Sequence, residues 1–345
     1  MNAQIRMIDL RARHDRLVAE QPRLRMRERA ARLHASEAEL VAAGCGVTSY
    51  ELDAPPQDIV RALPALGPVM ALSRNDWCVH ERHGRYEDVR ADGAVGLVLG
   101  PDIDLRLFFE HWVYAYAVIE HERHSLQFFD GAGVAVHKVY RTEATDVQAW
   151  EALVARHALE DKRPVQPTPV VLAEETDTPE DAAALRADWL GLQDTHEFFP
   201  MLRRFKVSRL GALRAAGVDL AQPVDAQAVE RMLHAVSATA LPIMCFVGNR
   251  GIVQIHTGMV QRLLRTGPWF NVLDERFNLH LDTTAIASCW VVNKPTSDGW
   301  VTSLEAYAAD GGLIVQFFGA RKPGQPERPA WRRLLADLCT QPLAA

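Results

Sequence analysis

Hydrophobic and polar positions run along this chain in one order, twice. VMALSRNDWCVHERHG, from Val69 to Gly84, aligns without gaps on IMCFVGNRGIVQIHTG, from Ile243 to Gly258, at an offset of 174 positions. Met70, Asn75, Val79 and Gly84 recur as Met244, Asn249, Val253 and Gly258. The same offset pairs Leu99, Leu105 and Leu107 with Leu273, Leu279 and Leu281, and a nearby one pairs LVAAG at Leu40 with LRAAG at Leu213. The pattern predicts a tandem duplication.

Each copy opens with helical spacing. Leu17, Leu24 and Leu40 mark it in the first, and Thr178-Pro179-Glu180-Asp181 predicts a helix start in the second, with a capping side chain and a proline at the first helical position. Strand chemistry follows. LRLFFEHWVYAYAVIE and LHLDTTAIASCWVVNK are rich in β-branched and aromatic residues, and SLQFFDGAGVAVHKVY and SLEAYAADGGLIVQFFG each set a turn signal between two apolar runs, as in an antiparallel hairpin. An aromatic-led helix closes each copy, from Trp150 and from Trp331. Helices, then consecutive strands, then a helix is the order of an α+β fold. The expectation is two mainly antiparallel sheets with flanking helices, related by pseudo-twofold symmetry. The first repeat is expected over 1–158, a linker rich in proline and acid over 159–177, and the second repeat over 178–345.

Composition narrows the classes. At 345 residues each copy is long enough to bury its own core. A net charge of −6 argues against a nucleic-acid partner. A DNA- or anion-binding alternative would rest on Arg23, Arg25, Arg27 and Arg29, but their spacing forms no single helical face and predicts a solvated helix. The N-terminal stretch lacks the apolar centre of a signal peptide, and no run reaches the roughly 18 apolar residues of a membrane helix, so a cytoplasmic chain that is not membrane-embedded is expected. The five cysteines have no CxxC or CxxCH spacing and predict buried, apolar-like thiols.

Candidate chemistry begins where the copies differ. The second carries DTHEFFP, with His196, where the first reads roughly QPRLRMR and has no histidine. Asp194 and Glu197 have the spacing of a capping box, which places His196 in a first helical turn, and Pro200 is expected to bend or limit that helix. In IDLRLFF, strand alternation puts Arg106 and Phe108 on one face, and an arginine there needs an edge, a partner or a ligand. Lys294 ends an apolar run before a proline, a place from which a side chain reaches a cleft mouth or solvent. Gln316 leads into a loop with Arg321 and Lys322, and cations near strand ends suit a dianion. HERHG, with His80 and His83, reads as a polar turn. Nucleotide, metalloprotease and serine-hydrolase motifs are missing.

DTHEFFPMLRRFKVSRLGALRAAG, CFVGNRGIVQIHTG, GPWFNVLDERFNLHLDTTAIA, WVVNKPTSDGWVTSLEAY and QFFGARKPGQPERPAW resemble the cytoplasmic haem-utilisation proteins of Gram-negative bacteria, the HemS, HmuS, ShuS and PhuS family of haemin-degrading factors. SEAELVAAG, RNDWCVHERHGRYEDV and DIDLRLFFEHW carry the resemblance through the first copy. The resemblance implies haem b held between elements of both halves. It implies His196 as the axial iron ligand, Arg106 and Phe108 as the distal pair, Phe246 in the pocket wall, and Lys294, Gln316 and Arg321 on the propionate side. One ligand histidine implies one haem. The expected function is cytoplasmic haem binding in iron acquisition, handing haem on for degradation or degrading it. A dedicated haem-degrading enzyme is the alternative, with Arg106 as its distal catalytic group. No flavin or nicotinamide motif is present, so that alternative needs an external electron donor. A haem oxygenase or the inner-membrane haem importer is the implied partner.

Overall fold

The computed structural model describes residues 3–159, 163–171, 175–322 and 324–345. Residues 160–162 and 172–174 of the expected linker lie outside them. The chain forms two compact units. The first comprises Met1–Arg74, Glu81–Val171 and Gly248–Gln254, and the second Asn75–His80, Leu172–Val247 and Ile255–Ala345.

In the first unit the helices Ala3–Glu20, Met26–Leu33 and Glu37–Ala43 precede an antiparallel array. Ser49–Glu51 pairs with Tyr114–Glu120, then come Arg123–Phe129, Ala135–Arg141 and Val69–Arg74. Val89–Arg90, Val95–Leu99 and Asp104–Phe108 form a smaller antiparallel set, and Val147–His157 is the closing helix. The second unit repeats this plan. Ala182–Leu190, Phe198–Phe205 and Arg209–Ala215 come first, and the array runs Ala221–Val224, Ser288–Thr296, Gly299–Tyr307, Leu313–Gly319 and Ile243–Asn249. Leu263–Thr266, Trp269–Leu273 and Phe277–Asp282 are the smaller set, and Pro329–Ala336 closes the unit. The architecture is α+β, built by tandem duplication, as the residue pattern predicted.

The units are not consecutive in sequence. Asn75–His80 of the first repeat belongs to the second unit, where Asn75 Nδ2 donates to the Ile314 carbonyl at 2.8 Å and Cys78 joins the core. Gly248–Gln254 of the second repeat belongs to the first, where Asn249 Nδ2 donates to the carbonyls of Val136 (2.8 Å) and Arg74 (2.9 Å) and Ile252 joins the core. Ile314 and Val136 occupy corresponding strands, so the recurring asparagine makes the same bond in each unit. An amide suits this turn because its carbonyl also caps the backbone locally: Asn75 Oδ1 accepts from Trp77 and Cys78, and Asn249 Oδ1 from Gly251.

Several expectations need correction. The helix expected from Thr178 begins at Ala182, where Asp181 is the capping side chain, accepting from Ala184 N at 2.9 Å. Pro200 does not break its helix; it lies in the first turn of Phe198–Phe205, where its missing N–H has no intrahelical acceptor to lose. HERHG is strand rather than turn, with His80 buried. Arg29 is buried on Glu120 at 2.7 Å rather than solvated. The part of the linker on the first unit is tied down: Thr168 N donates to the Gly131 carbonyl at 2.7 Å, and Arg163 pairs with Glu51 and Asp53. Cys45, Cys78, Cys245 and Cys289 are buried thiols, as expected, whereas Cys339 is half-buried. No helix among the described residues is long and apolar enough to cross a membrane.

Trp331, fully buried, donates from its indole N–H to the Thr302 carbonyl at 2.9 Å and fills the space against Gly319. Trp331→Ala is expected to destabilise the second unit by about 3–5 kcal/mol, the range for truncating a buried aromatic side chain. Urea denaturation followed by far-UV circular dichroism measures it, and a loss under about 1 kcal/mol would contradict this packing.

Candidate functional site

Asp194 caps the turn Thr195–Glu197 by accepting from His196 N at 2.8 Å, and the Glu197 carboxylate returns to Asp194 N at 3.3 Å. This is the expected capping box. The same Asp194 oxygen lies 2.6 Å from His196 Nδ1. With Nδ1–H donating to the carboxylate, the ring is held in the tautomer whose lone pair sits on Nε2. The His196 side chain is 85% exposed. The Asp194 carboxyl is held below the usual carboxylate range, first by the His196 backbone N–H; partial burial opposes this, and the His196 ring and Arg321 add to the lowering. Arg321 is itself anchored by the Gln325 carbonyl at 2.8 Å and by Asp298 at 3.4 Å.

Two residues beyond His196, Phe198 is buried edge-on against Trp189, with ring centroids 4.6 Å apart. Lys294 Nζ lies 4.6 Å and the Arg209 guanidinium 4.9 Å from the Phe198 ring centroid, both within cation–π range. Phe199, by contrast, is largely exposed.

Both cations are held by Glu305, a fully buried carboxylate. Arg209 grips it with Nη2 at 2.7 Å and Nε at 2.9 Å, and Lys294 Nζ lies 3.3 Å away. Gln316 Nε2 and Ser303 Oγ each donate at 2.8 Å, and the Tyr307 hydroxyl donates to the second oxygen. Burial works to raise the Glu305 pKa, but Arg209, then Lys294, outweigh it and hold the carboxyl well below the usual range. Burial lowers Lys294 to about 8; Glu305 pulls upward and Arg209 pushes further down.

Lys294 and Gln316 therefore converge, on a residue that the sequence reading did not single out. Lys294 is not at a cleft mouth in water but 3% exposed, inside the strand Ser288–Thr296. Phe246 pairs in register with Gln316 and packs against Phe318 at 5.0 Å. Arg321 joins the neighbourhood of Asp194 and His196. Arg106 and Phe108 belong to the first unit. They share a face of Asp104–Phe108, as alternation predicts, with Leu105 and Leu107 buried on the other, and Arg106 is paired with Asp104. Glu305 and Arg209 were missed because each reads as an ordinary residue of its element. The available signal was a lone carboxylate inside the apolar run of SLEAYA.

The first repeat carries different charges at the matching positions, with the sign reversed at two of them. Gln127 and Lys138, paired in register, stand where Glu305 and Gln316 pair. Glu37, the residue after the cap Ser36, matches Arg209 after the cap Ser208, and Glu120 matches Lys294 at the offset of 174. Lys138 binds Glu37 at 3.3 Å. The second repeat thus offers two buried cations on one carboxylate, aromatic faces and an exposed imidazole; in the first, Glu37 and Glu120 are each balanced by one cation, Lys138 and Arg29. A planar, aromatic, anionic ligand bearing a metal fits the former set.

A family model for the haemin-degrading HemS.ChuX domain matches residues 34–157 and again 206–338. The chain is 42% identical to the hemin transport protein HmuS of Yersinia pestis over 332 residues, 95% of this chain and 96% of that one. It is similar to holo-PhuS, a heme-binding protein from Pseudomonas aeruginosa, with a TM-score of 0.93 and 47% identity over 96% of this chain and 99% of that chain. It is also similar to the heme-degrading enzyme ChuS of Escherichia coli O157:H7, with a TM-score of 0.92 and 36% identity over the same shares.

Glu305→Gln is expected to cost about 3–5 kcal/mol, because it strands Arg209 and Lys294 without a buried counter-charge. A carboxyl with a depressed folded pKa stabilises above its unfolded value, near 4.5, and loses that contribution as pH falls. Urea midpoints of wild type should therefore fall more steeply below pH 4.5 than those of Glu305→Gln; parallel profiles would contradict the network. Lys294 gives a slope of the same sign in a second, alkaline window, because its folded pKa is also depressed. Between about 8 and 10.5 the unfolded chain holds the extra proton, so wild type should gain stability relative to Lys294→Met as pH rises through that window.

Proposed function

The chain belongs to the haemin-degrading HemS/ChuX family, and on that footing we propose that it binds one haem b per chain, with His196 as iron ligand, in haem uptake for iron acquisition. One observation carries the reading: the family's histidine is an exposed imidazole whose Nδ1 is fixed by a carboxylate, next to a buried cationic cluster. Haem, when bound, supplies the iron and the conjugated ring.

The protein's own residues do the rest. Asp194 orients His196 and fixes the tautomer that offers Nε2 to a metal. Arg209 and Lys294, held by Glu305, leave the cluster with one net positive charge, which attracts a propionate without a second buried counter-ion. Gln316 and Arg321 add donors at the edge, and Phe246 supplies an apolar wall. At the matching place in the first repeat, Lys138 and Arg29 are each balanced by a carboxylate, Glu37 and Glu120, and leave no net positive charge for a propionate, which supports a single site. Arg106 and Phe108 are proposed as the distal pair.

Transfer and degradation both use these residues. Delivery needs an iron ligand that can let go, and an imidazole on an exposed turn meets that need better than one locked in a core. Degradation remains the second reading, favoured by the likeness to ChuS, and it needs electrons from a partner or a small reductant. We place the protein in the cytoplasm, receiving haem from an inner-membrane importer and passing it to a haem oxygenase.

Ferric haem titrated into wild type should give a saturable Soret change at one equivalent, with an altered band and weaker binding for His196→Ala. No saturable change in wild type would remove the haem reading. Adding reductant in air with catalase then separates the two roles. A stable Soret band marks a carrier, and catalase-resistant bleaching to a bilin-like product marks an enzyme.

A further inference from the structure

The duplication exposes a second difference, on another face. In the second repeat, the chain's own last residues cover the surface between strand Ala221–Val224, strand Ser288–Thr296 and the closing helix. Gln222 exchanges three hydrogen bonds with the backbone of Thr340 and Gln341, at 2.8, 3.0 and 3.2 Å. The Ala344 carbonyl accepts from Asn293 Nδ2 at 2.9 Å and from Arg332 at 2.6 Å. The face is built to hold a run of non-helical chain.

The first repeat leaves the matching face open. Tyr50 pairs with Ala117 as Gln222 pairs with Val291, and Ile119 stands at the place of Asn293. Glu151, following the closing-helix tryptophan Trp150, takes the place of Arg332 after Trp331. After its closing helix, the first repeat runs elsewhere: Ala158 bridges to Leu52, and Leu159 N donates to the Glu51 carbonyl at 2.9 Å. What remains is a cleft of about 320 Å3 whose lining includes Tyr50, Ile119, Trp150, Glu151, Val154 and Ala155. Tyr50 is 38% and Ile119 36% exposed. Glu151 is exposed and has no ion-pair partner among the described residues.

We propose that this cleft docks an extended peptide segment of a partner protein, one that presents apolar side chains next to a lysine or arginine. The form of the occupant follows from the second repeat, which fills the same face with extended chain. Its chemistry follows from the substitutions. Gln222 and Asn293 hold backbone polar groups through amides; Ile119 has none and Tyr50 presents an aromatic ring with a single hydroxyl, so the occupant is held chiefly through apolar side chains. Arg332 holds a carbonyl, whereas Glu151 accepts from a donor and favours a cation.

The test uses the full-length chain. A random-peptide phage library is panned on wild type and counter-selected on Ile119→Lys, and the enriched peptides are made with a fluorescent label for anisotropy titration. The expected winners combine apolar residues with lysine or arginine, and bind Ile119→Lys about tenfold or more weakly. Glu151→Lys, at an exposed helix position, should weaken them too while leaving thermal unfolding and the haem titration unchanged. Winners that bind all three proteins alike, or that are acidic, overturn the proposal. So does a concentration-dependent dimer of wild type that Glu151→Lys abolishes in sedimentation, since a second copy would then be the occupant.

Discussion

The second repeat is organised by one buried carboxylate. Removing Glu305 from water costs several kcal/mol unless its oxygens are met, and here five side chains meet them. That requirement fixes more than the pair itself. Arg209 must reach in from the first turn of its helix and Lys294 must stay inside its strand, and their positions over Phe198 then fix the start of the helix that follows His196. The His196 turn is placed from beneath by buried charges.

The duplication makes the asymmetry interpretable. Both repeats keep the scaffold bonds: the same asparagine on the same carbonyl, and the same strand registers. Both also keep a polar layer at the same positions, so the fold tolerates buried charge there provided that it is paired. The repeats differ in charge balance. The second layer sets two buried cations on one carboxylate, whereas in the first each carboxylate has its own cation, Glu37 with Lys138 and Glu120 with Arg29. Specialisation therefore required few substitutions, because the cost of burying charge had already been met by the architecture.

The hairpins, the closing tryptophan helices and the capping box at Asp194 were legible in sequence because each depends on neighbours within a few positions. The same is true of the face shared by Arg106 and Phe108. Glu305 was not legible, since the partners that make a buried carboxylate tolerable lie 96 residues away at Arg209 and 11 away at Lys294 and Gln316. Lys294 was misread for the same reason: a lysine before a proline looks solvated until its counter-charge is known. The exchange of Asn75–His80 and Gly248–Gln254 between units was hidden too. Alignment of the two copies reveals that these segments are equivalent, but equivalent segments can pack at home or in the other unit.

A network of this kind also decides what can move. Breaking one buried pair costs about as much as a large part of a domain's whole stability, so no ligand rearranges Glu305, Arg209 and Lys294 cheaply. The adaptable element is the other one. His196 sits in a single turn held by the Asp194 carboxylate and one backbone return, each bond worth about 0.5–3 kcal/mol, and most of its ring faces water. Rigid charge with a yielding imidazole is the arrangement that the proposed handover of haem requires. In that proposal the propionate end keeps its register while the axial bond is exchanged. An enzyme that holds haem through a long reaction gains from the reverse, a buried and well-supported axial ligand, and on this physical ground the transfer reading stands ahead of the catalytic one.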